Sequence, residues 1–487
     1  MDASYQAGHT PQLQILTDAQ IDRIYQGTLE CLQRTGVEIR NATARKLLTD
    51  AGARADGTRI RIPSHIIEDT LATVPESFKI WGRDQEHHIQ IEPGSKLFGP
   101  GPTCTYFIDP QTGQRRKTRR GDPSYTARVC QELENIDYVM SLGLIDDVTP
   151  NLAAVYEFAE MITHTLKPVL AWAFDLNHLK DIYRIALTLT GSEKKFRQHP
   201  IFGFFSTYQA PLIQTDKDLA NCLWASTHGI PVIYLGGGIA GITGPVTGAG
   251  LLVVQLSNAL SGLAILQLNQ PGAPICIGGV PLPMDLRTAR PVYGGPEMSL
   301  YGAACSEVLQ SLGVPFMGTA GASEAKLVDQ QAAIESTMQV VLASLSGAAM
   351  VHDTGFLDCA DTGSLEMLVM NDEIIAMTKR VMRGLEVSDD TLMLDLIDQV
   401  GPGGEFASAI ETARRCRQEI FNSKLMDREP WQDWEQNGSA SMLDRVRQRL
   451  QYILSNDQPL SVSQKIAEKI ESILAEAEKR EGSIDAN

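Results

Sequence analysis

This chain lacks any close cysteine pairing. Its eight cysteines, Cys31, Cys104, Cys130, Cys222, Cys276, Cys305, Cys359 and Cys416, stand far apart, and none forms a CxxC pair. That argues against a zinc framework or a disulfide scaffold and fits a reducing compartment, so the expected location is the cytoplasm. Basic charge is scarce: 42 Lys and Arg oppose 59 Asp and Glu, a net charge of −17, where a nucleic-acid binder needs a concentrated basic face. The basic cluster Arg115, Arg116, Lys117, Arg119 and Arg120 is short and lacks interleaved aromatics; it reads as a solvated loop or a partner-docking patch. The opening MDASYQAGHTPQLQIL has no positive start and no long apolar run, so no secretion leader is expected there. The longest absence is internal. Residues 219–284 contain no Asp, Glu, Lys or Arg, and AGLLVVQLSNALSGLAILQL within them approaches membrane-span length. Gln255, Ser257, Asn258, Ser261 and Gln267 interrupt that run, so the expectation is no membrane span but a helix buried between a sheet and a neighbouring subunit.

What is present is the material of a packed protein. With 487 residues and 43% hydrophobic content, the chain exceeds what one core usually serves and implies a large domain with additions. Residues 1–95 read as a mainly helical N-terminal domain. In LTDAQIDRIYQGTLECLQRTGVEI, Thr17 can cap, Ile21, Ile24, Tyr25, Leu29 and Leu32 keep the helical period, and Gly36 supplies a stop. Residues 96–400 alternate apolar strand patterns with helical ones. Eight strands are expected, at 102–109, 137–145, 167–174, 200–207, 231–237, 274–280, 314–321 and 348–355. Eight βα units in this length match an α/β TIM barrel, with an open doubly wound sheet as the alternative. Residues 401–487 form a C-terminal helical extension, expected to pack on the barrel or on a partner chain. Ile466, Ile470, Ile473 and Leu474 lie on one face of its last helix.

Several stretches carry candidate chemistry. Gly236, Gly238 and Gly241 have GxGxxG spacing after a strand, but no acidic residue follows at about 20 positions to hold a ribose, and Thr243, Gly244 and Pro245 break the required helix start. A glycine-rich loop at a barrel mouth fits better. His352 stands beside Asp353 at a strand end, an address that in a barrel faces the active-site end. The nine histidines are otherwise scattered, and no metal site is expected. Glu297 suits a helix start. Arg287 and Arg290, after the sixth strand, can grip an anion or pair with neighbouring acids. Trp172, Phe174, Phe204, Phe205, Tyr208, Tyr234 and Phe356 cluster near strand ends. Core packing explains any one of them; several at one end could cage a quaternary ammonium.

The segments FGPGPTCTYFIDPQTGQRRKT, LENIDYV, RTARPVYGGPEMSL, GTAGASEAKLVDQQAAIE, LVMNDEII and GPGGEF together resemble the trimethylamine methyltransferase superfamily, which includes betaine methyltransferases. The resemblance implies a TIM barrel whose mouth receives a separate protein carrying cobalamin, with a methyl group passing from substrate nitrogen to cob(I)alamin. Archaeal trimethylamine members carry pyrrolysine near the loop corresponding to GTAGASEAK, whereas Gly318 to Lys326 are ordinary residues here. A quaternary amine leaves as a neutral tertiary amine and needs no such help. The resemblance therefore implies a quaternary amine as substrate, with glycine betaine favoured, a cognate corrinoid protein as partner, and neither zinc nor NAD. His352 and Glu324 are the expected catalytic residues. Phe174, Phe205, Tyr208, Tyr234, Phe356 and Arg287 are expected to bind substrate. Gly236, Gly237, Gly238, Gly318, Gly321 and Ala322 are expected to face the corrin, the small loop leaving room for the methyl donor. A homo-oligomer is expected from the charge-free helix. A non-catalytic betaine-binding barrel and a nicotinamide-dependent oxidoreductase remain as alternatives.

Overall fold

The computed structural model describes residues 11–456, 460 and 462–484; the first ten residues, on which most of the leader expectation falls, lie outside that range. Its centre is a closed ring of parallel staves. Seven are strands, in spatial order Leu97–Phe98, Met350–His352, Phe316–Thr319, Ile275–Gly278, Val232–Leu235, Phe202–Thr207 and Val169–Ala171. The eighth is the extended segment 137–140. Val139 pairs with Val169, and the Asp137 N–H donates to the Phe98 carbonyl at 2.6 Å, which closes the ring. Helices follow the staves on the outside: Asp122–Glu132, Ala153–His164, Leu176–Thr190, Asp216–Thr227, Gly248–Asn269, Pro296–Ser311, Gln330–Leu345 and Leu365–Met382. This is a (β/α)8 barrel.

The expected first strand was misplaced. Tyr106–Ile108 does form a strand, but it pairs with Arg115–Lys117 and Thr362–Gly363 in a small separate sheet. The true first stave, Leu97–Phe98, has two residues followed by glycines and prolines. It is too short to leave an alternating pattern.

Side chains alternate along each stave. Tyr138, Met140, Leu170, Phe205, Ile233, Leu235, Cys276, Met317 and Met350 point inward and form one buried cluster. Ile80, Ile89 and Ile91 join it from the antiparallel hairpin Phe78–Trp81/His88–Ile91. Trp81 N–H donates to the Pro200 carbonyl at 2.8 Å, just before the stave Phe202–Thr207. The hairpin thus plugs the N-terminal end of the barrel, and chemistry is left to the other end.

The N-terminal region mixes helix and sheet. Its first helix, Asp18–Arg34, starts with a capping box between Thr17 and Gln20. The strand Val37–Ile39 pairs with Arg59–Arg61 and with Ile213–Gln214 of the barrel. The helices Asp18–Arg34, Ala42–Asp50 and Ser64–Leu71 pack on Gly248–Asn269. That helix, the one described helix long and apolar enough to cross a membrane, is therefore buried for the most part under its own chain. Each of its fully buried leucines contributes roughly 1.5–3 kcal/mol.

The C-terminal extension wraps the barrel. Helix Met442–Ser455 packs on Leu365–Met382 and Asp122–Glu132, and helix Gln464–Ile484 packs on Leu176–Thr190. Ile470, Ile473 and Leu474 are buried there, and Arg480 and Arg184 bridge to Asp181.

Candidate active site

The C-terminal mouth of the barrel gathers the chemistry. His352 is the last residue of its stave and, alternating with Met350, turns inward. The next side chain should turn outward. Asp353 instead adopts φ 75°, a left-handed conformation that costs an L-residue roughly 1–2 kcal/mol and that aspartate tolerates better than most. The turn brings its carboxylate back: Asp353 Oδ1 lies 2.5 Å from His352 Nδ1. The Thr319 hydroxyl on the adjacent stave completes the cluster, 3.0 Å from His352 Nε2 and 3.2 Å from Asp353 Oδ2. All three are inside the rim, with His352 and Asp353 buried. Both imidazole nitrogens are engaged, Nδ1 by the Asp353 carboxyl and Nε2 by the Thr319 hydroxyl, so the ring is held in one orientation.

Space for Asp353 is made by Gly101. A Cβ at that position would fall on Asp353 Oδ1 and on the Phe356 ring. The glycine-proline run after the first stave therefore has a steric purpose.

Apolar walls flank the cluster. The Phe205 and His352 rings meet edge to face, centroids 5.9 Å apart. Trp172 packs against the same interior cluster as Phe205. Its ring meets Phe174 edge to face at 4.6 Å, and its indole N–H donates to Glu157 at 2.8 Å. Phe174 is 39% exposed at the rim. Tyr293 also packs on the interior, and burial pushes its phenol well above its ordinary range. Glu324 accepts from the Tyr293 N–H at 2.9 Å and so ties the sixth loop to the seventh. Partial burial raises its carboxyl above the usual range, and the neighbouring Glu335 adds to the rise.

The other sequence-picked residues lie elsewhere. Tyr234 faces the helical layer: its hydroxyl bonds Gln214 and its ring fills the space left by Gly262. Alternation decides this, because Ile233 and Leu235 are the inward residues of that stave. Tyr208 is buried beneath Gly236, and its hydroxyl donates to the Gly278 carbonyl at 2.7 Å. Phe356 is fully buried beside Gly101. The Arg287 side chain is 89% exposed and folds onto Asp285.

The small loop does not form an open vestibule. Ala320 N–H donates to the His352 carbonyl, Ser323 N–H to the Phe356 carbonyl, and Ala322 pairs with Phe356. Gly318 faces the helices, where its Cβ would meet the Phe316 ring, and Gly321 holds φ 82° against Thr354 and Asn371. Gly318, Gly321 and Ala322 are all buried. Their smallness lets two loops zip together behind the His352 cluster. In the fifth loop Gly236 and Gly238 are buried and Gly237 is exposed. Gly237–Ile239 continues as a strand beside Val280–Leu282, a wall raised above the rim. The GxGxxG spacing therefore opens no dinucleotide-binding helix.

Sequence reasoning did not single out Thr319, Glu157 or Tyr293, and treated Asp353 only as a neighbour. The available signal for Glu157 was a lone acid in the apolar run AAVYEFA.

Comparison with known proteins fits this geometry. The family described as Trimethylamine methyltransferase (MTTB) matches residues 2–483. A trimethylamine methyltransferase of Desulfitobacterium hafniense (strain DSM 10664 / DCB-2) is 29% identical over 471 residues, covering 96% of this chain and 94% of that protein. One from Methanosarcina barkeri (strain Fusaro / DSM 804) is 28% identical, covering 98% of each chain. A glycine betaine methyltransferase of Desulfitobacterium hafniense (strain Y51) is 27% identical, covering 97% of this chain and 98% of that one. Among solved structures, the monomethylamine methyltransferase of Methanosarcina barkeri superposes with a TM-score of 0.51 at 11% identity, covering 90% and 88% of the two chains. That likeness concerns the fold.

Proposed function

The chain belongs to the trimethylamine methyltransferase (MTTB) family, and on that footing we propose that it takes a methyl group from a quaternary amine, with glycine betaine favoured, and delivers it to a corrinoid on a separate protein. The observation that carries this reading is the pairing of an aromatic ring with a buried carboxyl group at the mouth of the barrel, Phe205 meeting His352 at 5.9 Å and Asp353 bonded to the same imidazole. Breaking a C–N bond to a quaternary nitrogen returns the electron pair to nitrogen and frees a neutral tertiary amine. No proton has to move, and a site that binds and aims the cation suffices.

The chain's own residues then bind and aim. Phe205 and Trp172 offer ring faces to the onium, a contact worth about 2 kcal/mol or more when desolvated. The buried Asp353 carboxylate supplies the compensating negative charge. Lys326 and Arg290, exposed at the rim near Asp358, stand where a substrate carboxylate would reach outward. His352 and Glu324 hold the loops in register. The bound corrinoid would supply the reduced-metal nucleophile. Exposed Gly237 at the C-terminal mouth fits the approach of such a bulky group, and the raised Gly237–Ile239 wall would flank it.

The test is a panel of glycine betaine, proline betaine, carnitine and trimethylamine, each mixed with the protein and cob(I)alamin, with transfer read as loss of the cob(I)alamin absorbance. Transfer from a quaternary member is expected. Transfer from trimethylamine alone would overturn the substrate class, and binding without transfer would leave a non-catalytic betaine binder.

A further inference from the structure

Glu157 is out of place for an ordinary barrel helix. Its helix, Ala153–His164, buries Ala153, Ala154, Val155, Phe158, Ala159, Met161 and Ile162, and Glu157 sits among them with no exposed surface. An uncompensated carboxylate there would cost several kcal/mol. Its two oxygens are used separately. Oε1 accepts the Ile145 N–H at 3.1 Å, fixing the loop after the second stave. Oε2 accepts the Trp172 indole N–H at 2.8 Å. The carboxyl thus reaches from the helical layer to the mouth of the barrel and grips an aromatic ring there by its polar handle.

We infer that Glu157 is the positioning residue for Trp172, fixing the indole whose ring meets the onium. This rests on the quaternary-amine reading above. A carboxyl oxygen at the indole N–H does two things. It selects one orientation of a large side chain that Phe174 braces from the other side. It also draws the N–H dipole toward itself, which enriches the ring face in electron density and strengthens its hold on a cation. Burial pushes the carboxyl up to about 8, with the two N–H donors and the Ser141 hydroxyl opposing the shift. A cation arriving across the ring favours the ionised form in the same direction as those donors.

The experiment is calorimetric binding of glycine betaine and of tert-butylacetate, which has the same shape with carbon in place of nitrogen. Wild type, E157Q, W172F and the double variant are compared. E157Q offers an amide NH2 where one N–H needs an acceptor. It is expected to weaken betaine about tenfold and tert-butylacetate less than about twofold, in line with loss of the orientation on which a cation–π contact depends. In the W172F background, where the indole donor is gone, the same change should weaken betaine less than about twofold. The nitrogen-labelled indole resonance of Trp172, identified by its loss in W172F, should shift in E157Q. Equal weakening of both ligands, an undiminished effect in W172F, or an unmoved indole resonance would each overturn the inference. Should E157Q fail to fold, E157D, too short to reach both donors, makes the same comparison. A wild-type protein that binds no quaternary amine overturns the proposed function as well; binding without the selective loss overturns this inference alone.

Discussion

Asp353 and the adjacent His352 point to the same side of the chain, their Oδ1 and Nδ1 atoms 2.5 Å apart, because Asp353 takes a φ of 75°. Removing either partner leaves the other buried without its bond. Asp353→Asn should lower turnover with glycine betaine by roughly 10- to 100-fold, the equivalent of about 1.5–3 kcal/mol for a hydrogen bond to a charged group. His352→Ala should impair turnover while circular dichroism shows an intact barrel. Wild-type rates in both variants would remove the cluster from the site.

Phe205 and Tyr234 make a matched pair of opposite expectation. Phe205→Ala should weaken betaine about 5- to 30-fold, and tert-butylacetate by less, because a cation–π contact is lost. Tyr234→Phe removes a hydroxyl bonded to Gln214 in the helical layer. It should lower stability in denaturant by about 1 kcal/mol and leave binding unchanged. Calorimetry and urea unfolding on the two variants separate pocket from scaffold.

Gly101→Ala tests the steric account of the first loop. The added methyl meets Asp353 and Phe356, and overpacking of this kind typically costs about 1–3 kcal/mol. Activity should fall further than the melting temperature implies, since the displaced group is Asp353 itself. Full activity at an unchanged melting temperature would show that the loop yields freely.

Stability should also depend on pH through Glu157. Its carboxyl is raised to about 8 in the folded protein, against about 4.3 in an unfolded chain. The folded state then holds a proton that the unfolded state has lost. This contribution is fully present below about pH 4, declines as pH rises toward 8, and is absent above it. Urea unfolding of wild type should show a decline over that window that E157Q lacks. Identical pH profiles for the two proteins would count against the raised carboxyl.

Arg287→Ala should change betaine affinity by less than about twofold, because the guanidinium lies in solvent on Asp285 and exposed pairs contribute little. A tenfold loss, measured by calorimetry, would mean that the sixth loop folds over the ligand.

Periodicity made most of the barrel legible. Seven of the eight staves fall inside the strand segments read from apolar runs, because a stave covered on both faces is apolar throughout. The first was lost because Leu97–Phe98 is too short for any pattern, while Tyr106–Ile108 alternates well for the edge of a small surface sheet. Site residues were harder to read, since composition does not say which way a side chain turns. Phe205 and Tyr234 are both aromatics near strand ends, and only the register of each stave sends one inward and the other out. The loop Gly318–Ala322 was read as empty space, whereas its small residues allow a close backbone approach to 352–356. Glu157 was hidden for the opposite reason: its partners, Ile145 and Trp172, belong to other elements, and nothing local announces them.

The ring's thinnest joint has a consequence of its own. Phe98 O receives the Asp137 N–H where six of the other joints are strand ladders, and Gly99 hangs from Val351, one residue from His352. The first stave also meets its other neighbour only across some 250 residues of chain, so closure has to wait until the end of the barrel has been synthesised. Hydrogen exchange should find amides along this seam opening before the rest of the wall, and the breathing line of the barrel would then run beside its most charged interior residues.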